Sequence, residues 1–301
     1  MNSGPALAAA TVGPYLVEKL SSFDTRLQQI APRVLSSVDD RDAVHDLRVA
    51  LRRTRTLLEV ARSVLGRFHV NEVRRALRDL QTSTGSLRDE EVLLQLVDSL
   101  NIEHPDVKRW SDCRLRRKRR LRSMLSRAVR NGELDRGRSQ LHALLAFRAK
   151  PSRDRRLAKF ARRSVERACR RVEKHRAARL DAPEDLHRLR IAYKRLRYIV
   201  EAFADVLPSD LAPLAQPAAR FQSRLGDLHD IDTAMQSVRR ARLLSDAARV
   251  ELLDAFARVR EQHCEAYAKE LAMASIAPAV PRQTVSRQDV GGDSLRKISI
   301  R

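Results

Sequence analysis

The sequence predicts an all-α protein built by internal duplication, two four-helix bundles related by a pseudo-two-fold axis. Three observations carry that prediction. Ala, Leu and Arg dominate the 301 residues, Gly and Pro number only 9 and 11, and aromatics make up 4%, so helix formers outweigh breakers and strand formers. The segment 44–65, VHDLRVALRRTRTLLEVARSVL, returns as LHRLRIAYKRLRYIVEAFADVL at 186–207, a constant offset of 142. A second pair, LQTSTGSLRDEEVLL at 80–94 and FQSRLGDLHDIDTAM at 221–235, follows at offset 141 and aligns Gln81 with Gln222, Gly85 with Gly226, Leu87 with Leu228 and Asp89 with Asp230. Two matches in the same order are what a repeated bundle leaves in a chain.

The elements follow from apolar period and breakers. Helices are expected near 14–36, 40–65, 70–84, 87–101 and 105–130 in a first half, 13–131. A link, 132–152, opens with Gly132 and Gly137 and holds a short apolar stretch at 140–147. Helices are expected again near 153–180, 184–206, 210–224, 228–242 and 245–273 in a second half, 153–274. Pro105, Pro183 and Pro208 fall at boundaries, where a residue without an N–H is tolerated. Gly85 and Gly226 are each expected to end a helix, with Asp89 and Asp230 opening the next against its positive N-terminus. Residues 1–12 and 275–301 read as loose ends, the latter with Pro, a Gly pair and no helical period.

The repeated helix carries one face of charge. His45, Arg48, Arg52, Arg55 and Glu59 recur as His187, Arg190, Lys194, Arg197 and Glu201. Steps of three and four place each set along one side of a helix, with Leu47, Leu51, Thr54, Leu57, Leu58 and Ala61 on the opposite side. A solvated face with intrahelical Glu–Arg pairs explains one such row. It explains a second row poorly, because surface positions drift in a diverged duplication, and a plain charge run needs no His. Guanidinium forks and imidazole N–H groups suit phosphate oxygens, so the row reads as an anion-binding surface built twice.

The net charge of +22 is uneven: residues 105–180 hold 27 Lys or Arg against 7 Asp or Glu, a net of +20. Within 105–130, Arg109, Arg116, Arg119, Arg120 and Arg127 share a face. Within 155–180, Arg155, Arg156, Lys159, Arg162 and Arg163 begin another. These helices close the first half and open the second, so they are expected to line a cleft between bundles and to attract a polyanion with strong salt dependence.

Other chemistry finds little support. His45, His187, His229, Asp89 and Asp230 could meet between the halves, but neighbouring Arg and Lys repel a cation, and HxxxH and CxxC spacings are missing. No metal or other cofactor is therefore expected. The sequence has no Walker loop, GxSxG, HExxH or acidic E-x-E-x-K strand, so no catalytic residue is assigned and binding without cleavage is expected. Cys113, Cys169 and Cys264 are isolated, the length of a membrane span is nowhere reached, and the N-terminus lacks a basic region before its Ala run. A cytoplasmic protein without membrane contact is expected.

The paired H-x-L-R-[VI]-x-x-[RK]-[RK]-x-R helices, with turns like LGDLHD, resemble the CHAD family (conserved histidine α-helical domain) over residues from about 14 to 273. The resemblance implies two four-helix bundles around a basic central cavity that binds inorganic polyphosphate without hydrolysing it. It also implies that His45, Arg48, Arg52, Arg55, His187, Arg190, Lys194 and Arg197 contact the polymer. His229 joins them in the second half, whereas the first half has Arg88 at that position. Arg109, Arg116, Arg120, Arg155, Lys159 and Arg162 complete the expected contact set. Family members often sit beside a triphosphatase domain; none is read here, so a stand-alone form is expected, with polyphosphate granules as a location. The alternative partner is nucleic acid, which the charge permits but the few aromatics near the stripes (Trp110, Tyr193 and Tyr198) serve poorly.

Overall fold

The structure, a computed structural model, describes residues 11–36, 41–147 and 156–273. It is all-α, with an isolated bridge between Thr11 and Arg156 as the sole β pairing among the described residues. Ten α-helices follow in order: α1 Val12–Ser36, α2 Arg41–Leu65, α3 Arg67–Ala76, α4 Arg78–Ser99, α5 Pro105–Arg130, α6 Glu133–Phe147, α7 Leu157–Lys174, α8 Pro183–Ala202, α9 Ala215–Arg239 and α10 Asp246–Met273. A short 3-10 turn, Ala212–Leu214, leads into α9. The expected loose ends, 1–12 and 275–301, lie outside the described residues apart from Thr11 and Val12, and so does Arg155.

Each helix forms where an apolar stripe can be buried. In α2, Leu47, Leu51, Thr54, Leu57, Leu58 and Ala61 are buried as the period requires, and the Thr54 hydroxyl donates to the Ala50 carbonyl at 2.9 Å. Gly66, at φ 93°, turns the chain between α2 and α3 in a conformation that L side chains rarely adopt. Pro105 and Pro183 occupy first helical turns, and the His104 ring accepts a hydrogen bond from the Asp106 N–H at 3.1 Å to cap α5.

Three expectations need correction. The expected breaks at Gly85 and Gly226 do not exist: both glycines lie inside single helices, α4 and α9, and the first half breaks instead at Leu77. The stretch read as a link, 132–152, contains the fifteen-residue α6, which buries Leu134, Leu141, Leu144 and Leu145. Gly137 of α6 lies so close to Leu77 that a Cβ there would collide with the leucine side chain. Glycine therefore marks close packing here rather than a chain break. The basic helix expected to reach residue 180 ends at Lys174.

The halves meet through their middles. Within each half α2 packs on α4 and α8 on α9; between halves α2 packs on α8 and α4 on α9. One apolar core runs through all ten helices, while a smaller cluster of Leu93, Val97, Trp110, Ile231, Val238 and Phe256 joins the far ends of α4 and α9 to α5 and α10. Two ion pairs cross the α2–α8 junction reciprocally. Arg53 Nη2 lies 3.0 Å from Glu201 Oε2, and Arg195 Nη1 lies 2.7 Å from Glu59 Oε1. Arg53 and Arg195, like Glu59 and Glu201, are 142 residues apart, so equivalent residues make equivalent contacts, as at a two-fold interface.

Candidate functional site

Four helices deliver charge to that junction. Arg48 and Arg52 come from α2, His187, Arg190 and Lys194 from α8, Arg88 and Asp89 from α4, and His229 and Asp230 from α9. Both halves thus contribute to one group of mutually interacting charges.

The interior glycines position the first arginine of each row. Arg48 Nη1 donates to the Thr84 carbonyl at 3.0 Å, and a Cβ on Gly85 would sit 3.4 Å from that nitrogen. At the equivalent place a Cβ on Gly226 would sit 3.7 Å from Arg190 Nε. A bare stretch of helix therefore lies under each guanidinium. Farther along, Arg55 hydrogen-bonds to Gln81, whereas Arg197 turns to Glu201 at 2.6 Å and leaves the buried Gln222 Oε1 without a hydrogen-bond partner. The two rows match in their first arginines and diverge at their ends.

Burial sets the electrostatics of the group. Lys194, half-buried with Arg52, Arg190 and Arg48 as neighbours, is pushed down to about 7, chiefly by loss of water and then by those charges. Arg48 is lowered to about 10 by burial and by Arg52, against the opposing pull of Asp89. Arg190 is lowered by burial despite Asp230. Burial and then Arg190, His187 and Lys194 drive His229 down to about 4, and His187 falls for the same kinds of reason. The two imidazoles touch, Nδ1 to Nδ1 at 3.3 Å, with ring centroids 4.6 Å apart. Neutral rings can share that contact, where two imidazolium rings would repel.

His45 does not join His187. It is exposed and lines, with Arg48, Arg88 and Lys118, a cleft of about 1070 Å³ between the start of α2, α4 and α5. Asp42, Glu91, Asp98, Glu103 and Asp112 also line this cleft, so its charge is mixed. His187 instead packs on His229. The histidines differ because position 88 is Arg, which reaches outward, where position 229 is His.

The two basic helices are not brought to the junction as expected. α5 packs mainly on α4, α1 and α6, and α7 on α8 and α1. Arg109, Arg116 and Arg120 are exposed, Arg109 within 3.7 Å of Asp106; Lys159 is exposed, and Arg162 pairs with Asp210 at 3.6 Å. A helix this basic is oriented by its apolar stripe (Val107, Trp110, Leu125 and Val129 in α5), and the charges opposite it face water. The buried cation of α5 is Arg122; Arg114, half-buried, and Arg117, exposed, both reach buried Glu90 at 2.9 and 2.8 Å, and Lys118 lies beside Glu91 at 3.9 Å. Sequence reasoning passed over these and gave Asp89 and Asp230 a helix-opening role. Their alignment in the second repeat was the available signal for the two aspartates.

Among the described residues no group of three or more His, Cys, Asp or Glu is placed to hold a metal ion, and no helix is long and apolar enough to cross a membrane.

The CHAD domain family model matches residues 22–239. No curated protein matches the sequence. Among solved structures, the crystal structure of the CHAD domain from the plant Ricinus communis is similar with a TM-score of 0.77 at 21% identity, covering 90% of this chain and 95% of that one. PptA from Streptomyces chartreusis is similar with a TM-score of 0.59 at 18% identity, covering 87% of this chain and 98% of that one. At these identities the likeness is one of fold.

Proposed function

The chain belongs to the CHAD domain family, and from that premise we propose that its central group of cations binds inorganic polyphosphate without hydrolysing it. One observation carries the reading: Arg48, Arg52, Arg190 and Lys194, drawn from both halves, are held together while Lys194 makes no hydrogen bond or ion pair among the described residues. Half-buried cations close to one another are offset only in part by Asp89 and Asp230, and a polyanion supplies the remaining counter-charge. Polyphosphate carries about one charge per phosphate and no bases, which suits a surface of guanidinium, ammonium and imidazole with few aromatics. The cleft at His45, Arg48 and Arg88 opens the group to solvent on the first-half side.

Titration with phosphate chains of graded length in moderate salt tests this. Affinity should rise with length, because each added phosphate binds at high effective concentration, and fall steeply with salt. Indifference to length, or release of orthophosphate on incubation, would count against it. Competition with DNA and RNA at equal phosphate concentration tests the nucleic-acid alternative, which gains if either displaces the long chain. Association with polyphosphate granules is a further part of the proposal; imaging the protein with and without residues 275–301 decides whether that segment directs it.

A further inference from the structure

We propose that Gln222 is a second seat for Arg197, taken when a polyanion lies along the central cations, so that the second half extends its row to match the first. The inference deepens the polyphosphate reading and rests on it for its ligand, though one of its tests needs no ligand.

The first half shows what such a seat looks like. Both oxygens of Glu59 are engaged there: Arg195 lies 2.7 Å from Oε1, and Arg74 of α3 lies 2.8 Å from Oε2. Arg55, one turn before Glu59, finds no free carboxylate oxygen and donates instead to Gln81 of α4. Gln81 precedes Gly85 by one turn, so Arg48 and Arg55 are both held against α4. Nothing in the second half takes the part of Arg74. A 3-10 turn, rather than a helix like α3, stands between α8 and α9, and Ala215 and Gln216 fall at offsets of 141 and 142 from Arg74. Glu201 therefore gives Oε2 to Arg53 at 3.0 Å and has Oε1 left for Arg197 Nε at 2.6 Å.

The unused seat is nevertheless in register. Antiparallel contacts of α8 on α9 run from His187 on His229, Nδ1 to Nδ1 at 3.3 Å, through Arg190 over Gly226, to Tyr193 stacked on Phe221 with ring centroids 5.1 Å apart. Seven residues separate Arg48 from Arg55 and Arg190 from Arg197, and four separate Gln81 from Gly85 and Gln222 from Gly226. Gln222 is thus to Arg197 what Gln81 is to Arg55. Its amide oxygen is buried and accepts no hydrogen bond. Leaving a buried acceptor unpaired is costly, and rotation of Arg197 from Glu201 to Gln222 would remove that cost.

The present seat is weak enough to give up. The Arg197 and Glu201 side chains are 31% and 27% exposed, and such pairs contribute little. Losing Arg197 leaves Glu201 still paired with Arg53. On Glu201 the guanidinium is neutralised, whereas on an uncharged amide it keeps its whole charge for an anion. A polyanion lying on Arg190 and Lys194 gains a further cation by the exchange and so shifts the population toward it. Gln222 is a positioning residue, acting on the ligand through Arg197.

The experiment compares the full chain with its Gln222→Leu and Gln81→Leu variants. Long-chain polyphosphate should bind Gln222→Leu about fivefold more weakly than wild type. Without ligand, Gln222→Leu should melt at or above the wild-type temperature, because no bond is lost, while Gln81→Leu should melt lower, because Arg55 loses its acceptor. Unchanged affinity in Gln222→Leu overturns the inference, as does a fall in its ligand-free melting temperature equal to that of Gln81→Leu, since Gln222 would then serve the fold alone. Crystals of the wild type with long-chain polyphosphate should show Arg197 on Gln222, and Arg197 still on Glu201 overturns it too. Crystals of ligand-free Glu201→Ala should likewise show Arg197 on Gln222; a side chain pointing to solvent counts against the second seat. If Glu201→Ala does not fold, the Gln222→Leu comparison decides. Failure of the wild type to bind long chains would strike the functional reading, and the Glu201→Ala structure would still decide whether Arg197 has two seats.

Discussion

Lys194 shows how one buried amine can report on a ligand. Its ammonium is disfavoured in the free protein by burial and by Arg52, Arg190 and Arg48, so at pH 8 it is mostly uncharged. The unfolded chain still binds that proton, so this residue makes folding more favourable as pH rises from about 7 toward the ordinary lysine range. A polyanion reverses the preference. Calorimetry of long-chain polyphosphate binding at pH 8, in buffers of different ionisation enthalpy, should show uptake of up to about one proton, and Lys194→Met should remove it. Uptake that survives the substitution would assign the proton elsewhere. His187 and His229 act at lower pH: both are neutral near pH 7, and an anion that favours their charged forms should bind more tightly as pH falls below the usual histidine value. Charge reversal at Arg48 and Arg190 together should weaken binding well beyond twofold while the helical circular dichroism is kept. Lost helicity would show that these residues serve the fold.

At the scale of elements, α4 and α9 each accept a glycine in mid-helix, which costs about 0.5–1 kcal/mol relative to alanine. The close approach of Arg48 and Arg190 accounts for them, and the two approaches differ. A Cβ at 226 would make ordinary contact with Arg190 at 3.7 Å, whereas one at 85 would press on Arg48 Nη1 at 3.4 Å. Gly226→Ala should therefore stabilise the protein by up to about 1 kcal/mol in urea unfolding, with polyphosphate affinity unchanged. Gly85→Ala should gain less stability and lose affinity, because the guanidinium must shift from the Thr84 carbonyl. Identical behaviour of the two variants would mean that the glycines do not seat the arginines. Contiguous apolar period was readable in α2, whose buried residues are those that the spacing named. The α4 and α9 boundaries were not, because glycine as a breaker and glycine as a packing gap look alike in one dimension.

The whole molecule depends on how the halves dock. Glu59 receives Arg195 from the other half and Arg74 from its own, and although burial opposes it these partners hold its carboxyl below the usual glutamate value. A lowered carboxyl contributes stability that is present above the unfolded value of about 4.5 and is lost as pH falls through the folded one. Glu59→Gln should accordingly destabilise the protein by about 1 kcal/mol at pH 7, and the difference from wild type should shrink toward zero near pH 3. A deficit of constant size at both pH values would point to packing rather than charge. The concentration of +20 between residues 105 and 180 has a molecular-scale consequence too. With Arg116, Arg120 and Lys159 exposed, this charge would speed the encounter with the proposed polyanion.

By itself the sequence determined the helical class, the apolar faces, and the recurrence of the spacing of His45, Arg48 and Arg52 at His187, Arg190 and Lys194, because helical period and collinear repetition are local properties written in residue order. Only tertiary structure decided which charges meet. The α2–α8 and α4–α9 junctions bring Arg48 and Arg52 near Arg190 and Lys194 and bring in Asp89 and Asp230, while the most basic helices, α5 and α7, turn most of their charge outward. Burial, not the density of basic residues along the chain, fixes where cations lose their water, and burial is settled by helix packing over separations of about 140 residues.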